Sequence, residues 1–257
     1  MATKKITKVG GGEDTPQRAT FVPTAEAKGK ASQLRLFSVL LWVLAIAAEV
    51  GAIFVLIKCA KPIETASWVY MIALIVVDLA LVIVGSMLWK KANRLDPASK
   101  KDKVKFFLQN QLGVIIAVIA FLPLIVLIFT NKDLDGKQKG ILGGIAIVAM
   151  VIAGIASADF NPPSVEEYSE QTSRVEELTG GNSVYWTKSG TKYHIYEDCQ
   201  HINRDVTDEI FNGSVANARE LKNITELCKT CENKAVKAKA LTGGMEALPE
   251  DTEPDEE

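Results

Sequence analysis

The chain has 257 residues, 48% of them apolar, and a formal net charge of −2. That balance excludes both the strongly basic composition of a typical nucleic-acid binder and the polar composition of a disordered chain. The apolar residues gather in four blocks between Leu36 and Ser157, which also excludes a single soluble domain with an evenly distributed core.

Residues 1–33 are polar, and counted through Arg35 they carry seven Lys and Arg. The stretch is too long and polar for the n-region of a signal peptide, and no small-residue cleavage site closely follows the apolar run. It reads as a disordered basic arm in front of a signal-anchor helix. Leu36–Ile57 and Trp68–Trp89 each run 22 residues with one acid apiece, while Leu112–Thr130 and Gly140–Ser157 carry no charge. A hydrocarbon core of about 30 Å needs roughly 20 helical residues. Helices buried in a soluble bundle would show polar residues every third or fourth position, and these blocks lack them. The fold class predicted is an all-α membrane domain over 34–158, followed by a small α+β zinc-binding-like module. Its four transmembrane helices fall at about 36–57, 68–89, 110–130 and 140–158, which makes the lipid bilayer a partner. Trp68 and Trp89 bracket the second block as interfacial aromatics do, and Pro123 predicts a kink in the third.

Glu49 and Asp78 lie inside the first two spans, where a charge is costly and marks a functional site by default. Counting at 1.5 Å per residue from Leu36 and Trp89 puts them roughly 20 and 16 Å deep, within about one helical turn of each other on antiparallel neighbours. Two readings stand: a proton or cation site for a small transporter or channel, or a protonated, hydrogen-bonded pair that holds two helices together. In the fourth block Ala149, Ala153 and Ser157 stand at successive four-residue steps, after Gly140 and Gly144. Such a small-residue stripe permits close packing within the chain or between copies, and so a homo-oligomer through the fourth helix.

Orientation follows from Lys and Arg flanking the spans. The arm and the loop from Lys90 to Lys105 carry fourteen, against five in the first and third loops. This predicts a multi-pass plasma-membrane protein with both termini cytoplasmic. In a reducing compartment a cysteine cluster points to metal binding rather than disulfides. Cys59, at the end of the first span, reads as an inert thiol.

The chain through Ala158 holds nineteen Lys and Arg against ten acids, and the remainder ten against twenty-one. The acidity sits in a linker over 159–181 and a disordered tail over 241–257. The region 182–240 between them is close to neutral, which argues against a nucleic-acid partner. The basic loop and arm suit anionic lipid headgroups better.

That near-neutral region holds the metal-ligand pattern. "SVYWT" and "KYHIY", separated by "KSGT", read as a hairpin with His194 and Tyr196 on one face and Tyr193 and Ile195 on the other. Ser214 is a candidate N-cap for a short helix, and "ENKAVKAKAL" reads as a final helix. His194 and Cys199 are spaced H-x4-C, and after 28 intervening residues Cys228 and Cys231 form C-x2-C. Three thiolates and an imidazole make a closed structural zinc site. His201 is the alternative nitrogen ligand, placed less naturally because only one residue separates it from Cys199. A module of about 60 residues has a small core, so a metal staple has a physical reason to be there.

"SGTKYHIYEDCQHI" and "IFNGSVANARELKNITELCKTC" resemble the small module that ends many bacterial membrane-anchored or secreted proteins. Both are distantly similar to the metal-binding domain of the Ada DNA-repair proteins. The resemblance covers about residues 183–233 and lands on Tyr193, His194, Cys199, Gly213, Ala218, Cys228 and Cys231. It implies a bacterial source and a metal-binding fold. The methyl-accepting cysteine of Ada does not carry over, because a histidine here stands where that site has a fourth cysteine, and the basic DNA surface is missing. The chain shows no nucleophile–base arrangement, phosphate loop or open metal site. The leading expectation is therefore a non-enzymatic membrane protein that presents a zinc-stabilised interaction module to a protein partner in the cytoplasm. Transport through Glu49 and Asp78, with the module as regulator, is the alternative.

Overall fold

The computed structural model describes residues 5–9, 21–58, 65–222 and 224–245. Cys59 and the tail from residue 246 lie outside them. The chain divides into two compact units, Pro23–Val165 on one hand and Met1–Val22 with Glu166–Glu257 on the other.

The first unit consists of four helices, α1 (Ala25–Lys58), α2 (Thr65–Leu95), α3 (Lys103–Thr130) and α4 (Gly136–Ser157). All four are long and apolar enough to cross a membrane. Local chemistry sets where they start. The Thr24 hydroxyl accepts from the Ala27 N–H, and Asp102 accepts from the Lys105 N–H. Asp135 and Gln138 form a reciprocal capping box at the start of α4. The helices are apolar all round. Small residues such as Ala45, Ala117, Ala120, Ala146 and Ala153 point inward, while Phe37, Val43, Phe54, Val118 and Ile155 are exposed on the outside.

Close approach holds the bundle together. The Ser157 hydroxyl donates to the Ser86 hydroxyl at 2.8 Å, and Gly113 sits against both serines. A Cβ at position 113 would stand 2.7 Å from Ser86 Oγ. The predicted stripe on α4 is thus divided: Ala149, Ala153 and Ser157 are buried inside the unit, whereas Gly140 and Gly144 have open space beside them. A polar layer closes one end. Lys90 Nζ donates to the Ala156 and Ala158 carbonyls at the C-terminus of α4, Trp89 Nε1 donates to the Gln109 carbonyl, and Arg35 pairs with Asp96 at 2.6 Å. α3 runs unbroken through Pro123, and beside it Glu49 Oε1 of α1 accepts the Leu124 N–H at 3.3 Å.

The second unit contains β1 (Lys5–Lys8), α5 (Val165–Thr179), β2 (Ser183–Thr187), β3 (Lys192–Tyr193), β4 (Glu209–Ser214), α6 (Val215–Lys222), β5 (Glu226–Leu227) and α7 (Lys229–Met245). Its main sheet has the order β1-β4-β2, with β4 central, parallel to β1 and antiparallel to β2. Ser214 caps α6 as expected, its hydroxyl accepting from the Asn217 N–H. The predicted hairpin survives as one bridge, Tyr185 to His194. Tyr193, His194 and Ile195 are all buried, so the expected two-faced alternation is lost where the chain enters the core.

Two expectations are corrected. The arm through residue 33, expected to be disordered, includes strand β1, which completes the sheet through Lys5↔Glu209 to Lys8↔Asn212, and helix α1 already begins at Ala25. The acidic stretch taken as a linker folds as α5, burying Tyr168 and Val175, seven residues apart and therefore on one helical face. The compact unit is accordingly wider than 182–240.

Arg219 of α6 fastens α5 in place. It is 3% exposed, donates from Nη2 to the Tyr168 carbonyl and the Thr172 hydroxyl, and stands 4.3 Å from the Tyr168 ring and 5.3 Å from the Phe21 ring. Burial lowers its pKa to about 10, still charged at neutrality. Arg219→Ala is expected to cost about 2–4 kcal/mol through lost cation–π contact, hydrogen bonds and packing. Hydrogen exchange would report it as loss of protection in Val165–Thr179.

Candidate metal centre

The centre is assembled by the short parallel pair β3–β5, in register Lys192↔Glu226 and Tyr193↔Leu227. His194 and Cys228 each follow directly on the end of one strand, so a separation of 34 residues closes to adjacency. The Cys228 N–H donates to the Tyr193 carbonyl at 2.9 Å, and His194 exchanges two backbone hydrogen bonds with Tyr185 at 2.6 and 2.7 Å. Lys192 and Glu226 add an ion pair at 2.9 Å across the strands. Cys199 lies in the turn after the β3 segment, where its carbonyl accepts from the Ile202 and Asn203 N–H groups. Cys231 stands in the first turn of α7, whose N-terminus is closed by the Glu232 N–H donating to the Cys228 carbonyl.

These elements bring His194, Cys199, Cys228 and Cys231 together, all buried, with one ligand atom from each lying within 4.8 Å of the others. Cys231 Sγ and His194 Nδ1 are 3.7 Å apart. Ligands bound at about 2.0–2.3 Å on the corners of a tetrahedron stand roughly 3.5–3.8 Å apart, so the Cys231–His194 pair already stands at tetrahedral spacing. His201 is placed elsewhere. It is exposed, its Nε2 lies 3.1 Å from Thr230 Oγ1, and its ring centroid is 6.4 Å from that of His194.

The electrostatics suit a cation. Burial pushes the Cys231 thiol up to about 12, with the neighbouring Cys199 thiol acting in the same direction. Amide groups of Ile195 and Tyr196 face that sulfur and oppose the rise. At Cys228 burial is outweighed by the Cys231 and Thr230 amides at the helix N-terminus, which draw its pKa down. Three sulfurs at one point cannot all ionise without a positive charge between them, and a metal ion supplies it. Burial, helped by the nearby His201, lowers the His194 pKa to about 4, so the imidazole is neutral and free to ligate. The residues therefore fit a structural metal ion; when bound it would contribute charge neutralisation and cross-linking, with His194 and the three cysteines holding it.

A pH dependence follows. The ordinary histidine pKa is about 6.5, so between roughly pH 6.5 and 4 the unfolded chain binds a proton at His194 that the folded chain refuses. Stability is present above the upper value and falls as pH drops through that window, by about 3 kcal/mol from this group. Displacement of metal by protons acts in the same direction. Tryptophan fluorescence of buried Trp186 against pH would show the midpoint, and His194→Gln should flatten this part of the profile.

Sequence spacing pointed to the ligand residues but not to the amides of Ile195, Tyr196 and Thr230 around the sulfurs, because backbone donors leave no residue signature. The opposite charges at Lys192 and Glu226 were the one visible trace of the β3–β5 pairing. A half-open cleft of about 1130 Å³ borders His194 and Cys228, with Lys188, Lys192, Arg204 and Lys229 on its walls. Glu49 and Asp78, the other predicted site residues, are both buried in the four-helix unit. No protein-family model, curated protein or solved structure matches the chain.

Proposed function

We propose that this is a multi-pass membrane protein whose four helices anchor a zinc-stabilised interaction module, presented to the cytoplasm and without enzymatic activity of its own. The observation that carries the reading is the closed, buried set of one histidine and three cysteines in a chain that also has four helices of bilayer length. Zinc is the ion favoured by a tetrahedral three-sulfur, one-nitrogen cage with every position filled by protein. A site of that kind leaves no coordination position for substrate, and its effect is to staple a small core. The core it staples includes Val184, Trp186, Tyr193, Ile202 and Ala235.

The cytoplasmic side is supported by the fourteen-to-five excess of Lys and Arg flanking one set of helix ends. Anionic headgroups on that side suit the basic loop from Lys90 to Lys105. The cleft beside the metal centre supplies a concave surface for a protein partner. Reporter fusions to the C-terminus test the topology: a fluorescent-protein fusion should be bright and an alkaline phosphatase fusion inactive. The opposite pair of results would place the module outside the cell and overturn the reading.

A further inference from the structure

We propose that Glu49 and Asp78 form a proton-binding site in the interior of the helical bundle, holding at least one proton between their two carboxyl groups. The site is separate from the metal centre, and its case is independent of the module's role. Glu49 is 4% and Asp78 2% exposed, on α1 and α2, which share an extensive interface. Counted at 1.5 Å per residue along antiparallel neighbours, they lie within about one helical turn of each other in depth. They differ in their partners. Glu49 Oε1 accepts the Leu124 N–H at 3.3 Å, whereas Asp78 Oδ1 is buried with no hydrogen-bond partner among the described residues.

A buried carboxylate oxygen without a donor is expensive, and a second carboxylate beside it adds repulsion. The usual remedy is a cation, and the surroundings provide none. Over Leu36–Ile57, Trp68–Trp89, Leu112–Thr130 and Gly140–Ser157 there is no Lys, Arg or His. The only other titratable side chain in those stretches is Tyr70, and it is 66% exposed. From α3 the pair receives a backbone N–H, and the facing stretch of α4 has no titratable group. One proton resolves both problems: it turns a carboxyl oxygen into a donor and removes one of two like charges. Asp78 Oδ1, the atom lacking a partner, is the natural place for it. The chemistry is that of two carboxyls sharing a proton, in a setting where neither can lose it cheaply to water.

Infrared spectroscopy of the full-length protein in lipid bilayers tests this directly. At about pH 7.5, where exposed carboxyls are ionised, the wild type should show a protonated-carboxyl C=O band that shifts in D2O. The band should be lost in Glu49→Gln/Asp78→Asn and weakened in each single change. These replacements preserve size and hydrogen-bonding capacity. Asp159, whose Oδ2 is also buried without a partner among the described residues, supplies the control: Asp159→Asn should leave the band intact. A wild-type spectrum without the band overturns the proposal even if the double variant fails to assemble. So does a band that follows Asp159, or one abolished by Na⁺ or K⁺ at constant pH, which would make the occupant a metal cation.

Discussion

Cys231→Ser is expected to abolish stoichiometric zinc binding and to unfold the module around β2, β3 and α7, while the four-helix unit remains intact. Cys231 is 1% exposed, and its sulfur meets His194 and Cys199 as well as the amides of Ile195 and Tyr196. A serine there leaves three ligands, a shorter side chain and a buried hydroxyl among sulfurs. Structural zinc contributes apparent binding free energies of about 10–16 kcal/mol in small zinc-dependent domains. The module's own core cannot replace a term of that size. Proteolysis of full-length protein in detergent should therefore cut within residues 183–240 in the variant and not in the wild type. A chelator should reproduce the pattern. His201→Ala provides the contrast: with its ring engaged by Thr230 and outside the cage, its loss should leave metal content unchanged.

Gly113→Leu is expected to disrupt the membrane unit, costing about 3 kcal/mol or more. The added Cβ alone would meet Ser86 Oγ at 2.7 Å and Ser157 Cβ at 3.2 Å. Neither serine can retreat without breaking the 2.8 Å bond between them, and that bond joins α2 to α4 across α3. In an apolar interior there is no water to replace it. Gly144→Leu is the matched control, since no atom lies within 4 Å of a Cβ there. The first variant should lower the thermal midpoint and the monodisperse yield in detergent, and the second should leave stability as it was. The same control bears on self-association. A homo-oligomer built on the Gly140–Gly144 face of α4 would dissociate in Gly144→Leu, whereas a bundle that uses its small residues internally would be unaffected.

Much of this architecture was legible because its signals are local and strong. Four runs without charge, or with one acid each, can hardly be anything but long apolar helices. The clustering of His194, Cys199, Cys228 and Cys231 as candidate ligands was legible because C-x2-C and H-x4-C are spacings at which short loops can aim two donors at one point. What stayed hidden is non-local. Strand β1 is four residues long and finds its partner β4 two hundred positions away, so nothing in "KITK" distinguishes it from a solvated arm. Helix α5 shows an acidic surface to a reader of composition, and its burial rests on two residues, Tyr168 and Val175, with Arg219 arriving from another element. The β3–β5 ladder has two residues per strand, below the length at which period-two alternation can be read.

We propose that the histidine and three cysteines hold one zinc ion and that this ion holds the module together. X-ray absorption at the zinc edge of the purified full-length protein tests it most directly. One zinc per chain is expected, bound by three sulfurs at about 2.3 Å and one nitrogen at about 2.0 Å. A protein whose module is folded and resistant to chelator with no zinc bound, or a zinc shell of oxygen and nitrogen alone, would contradict it.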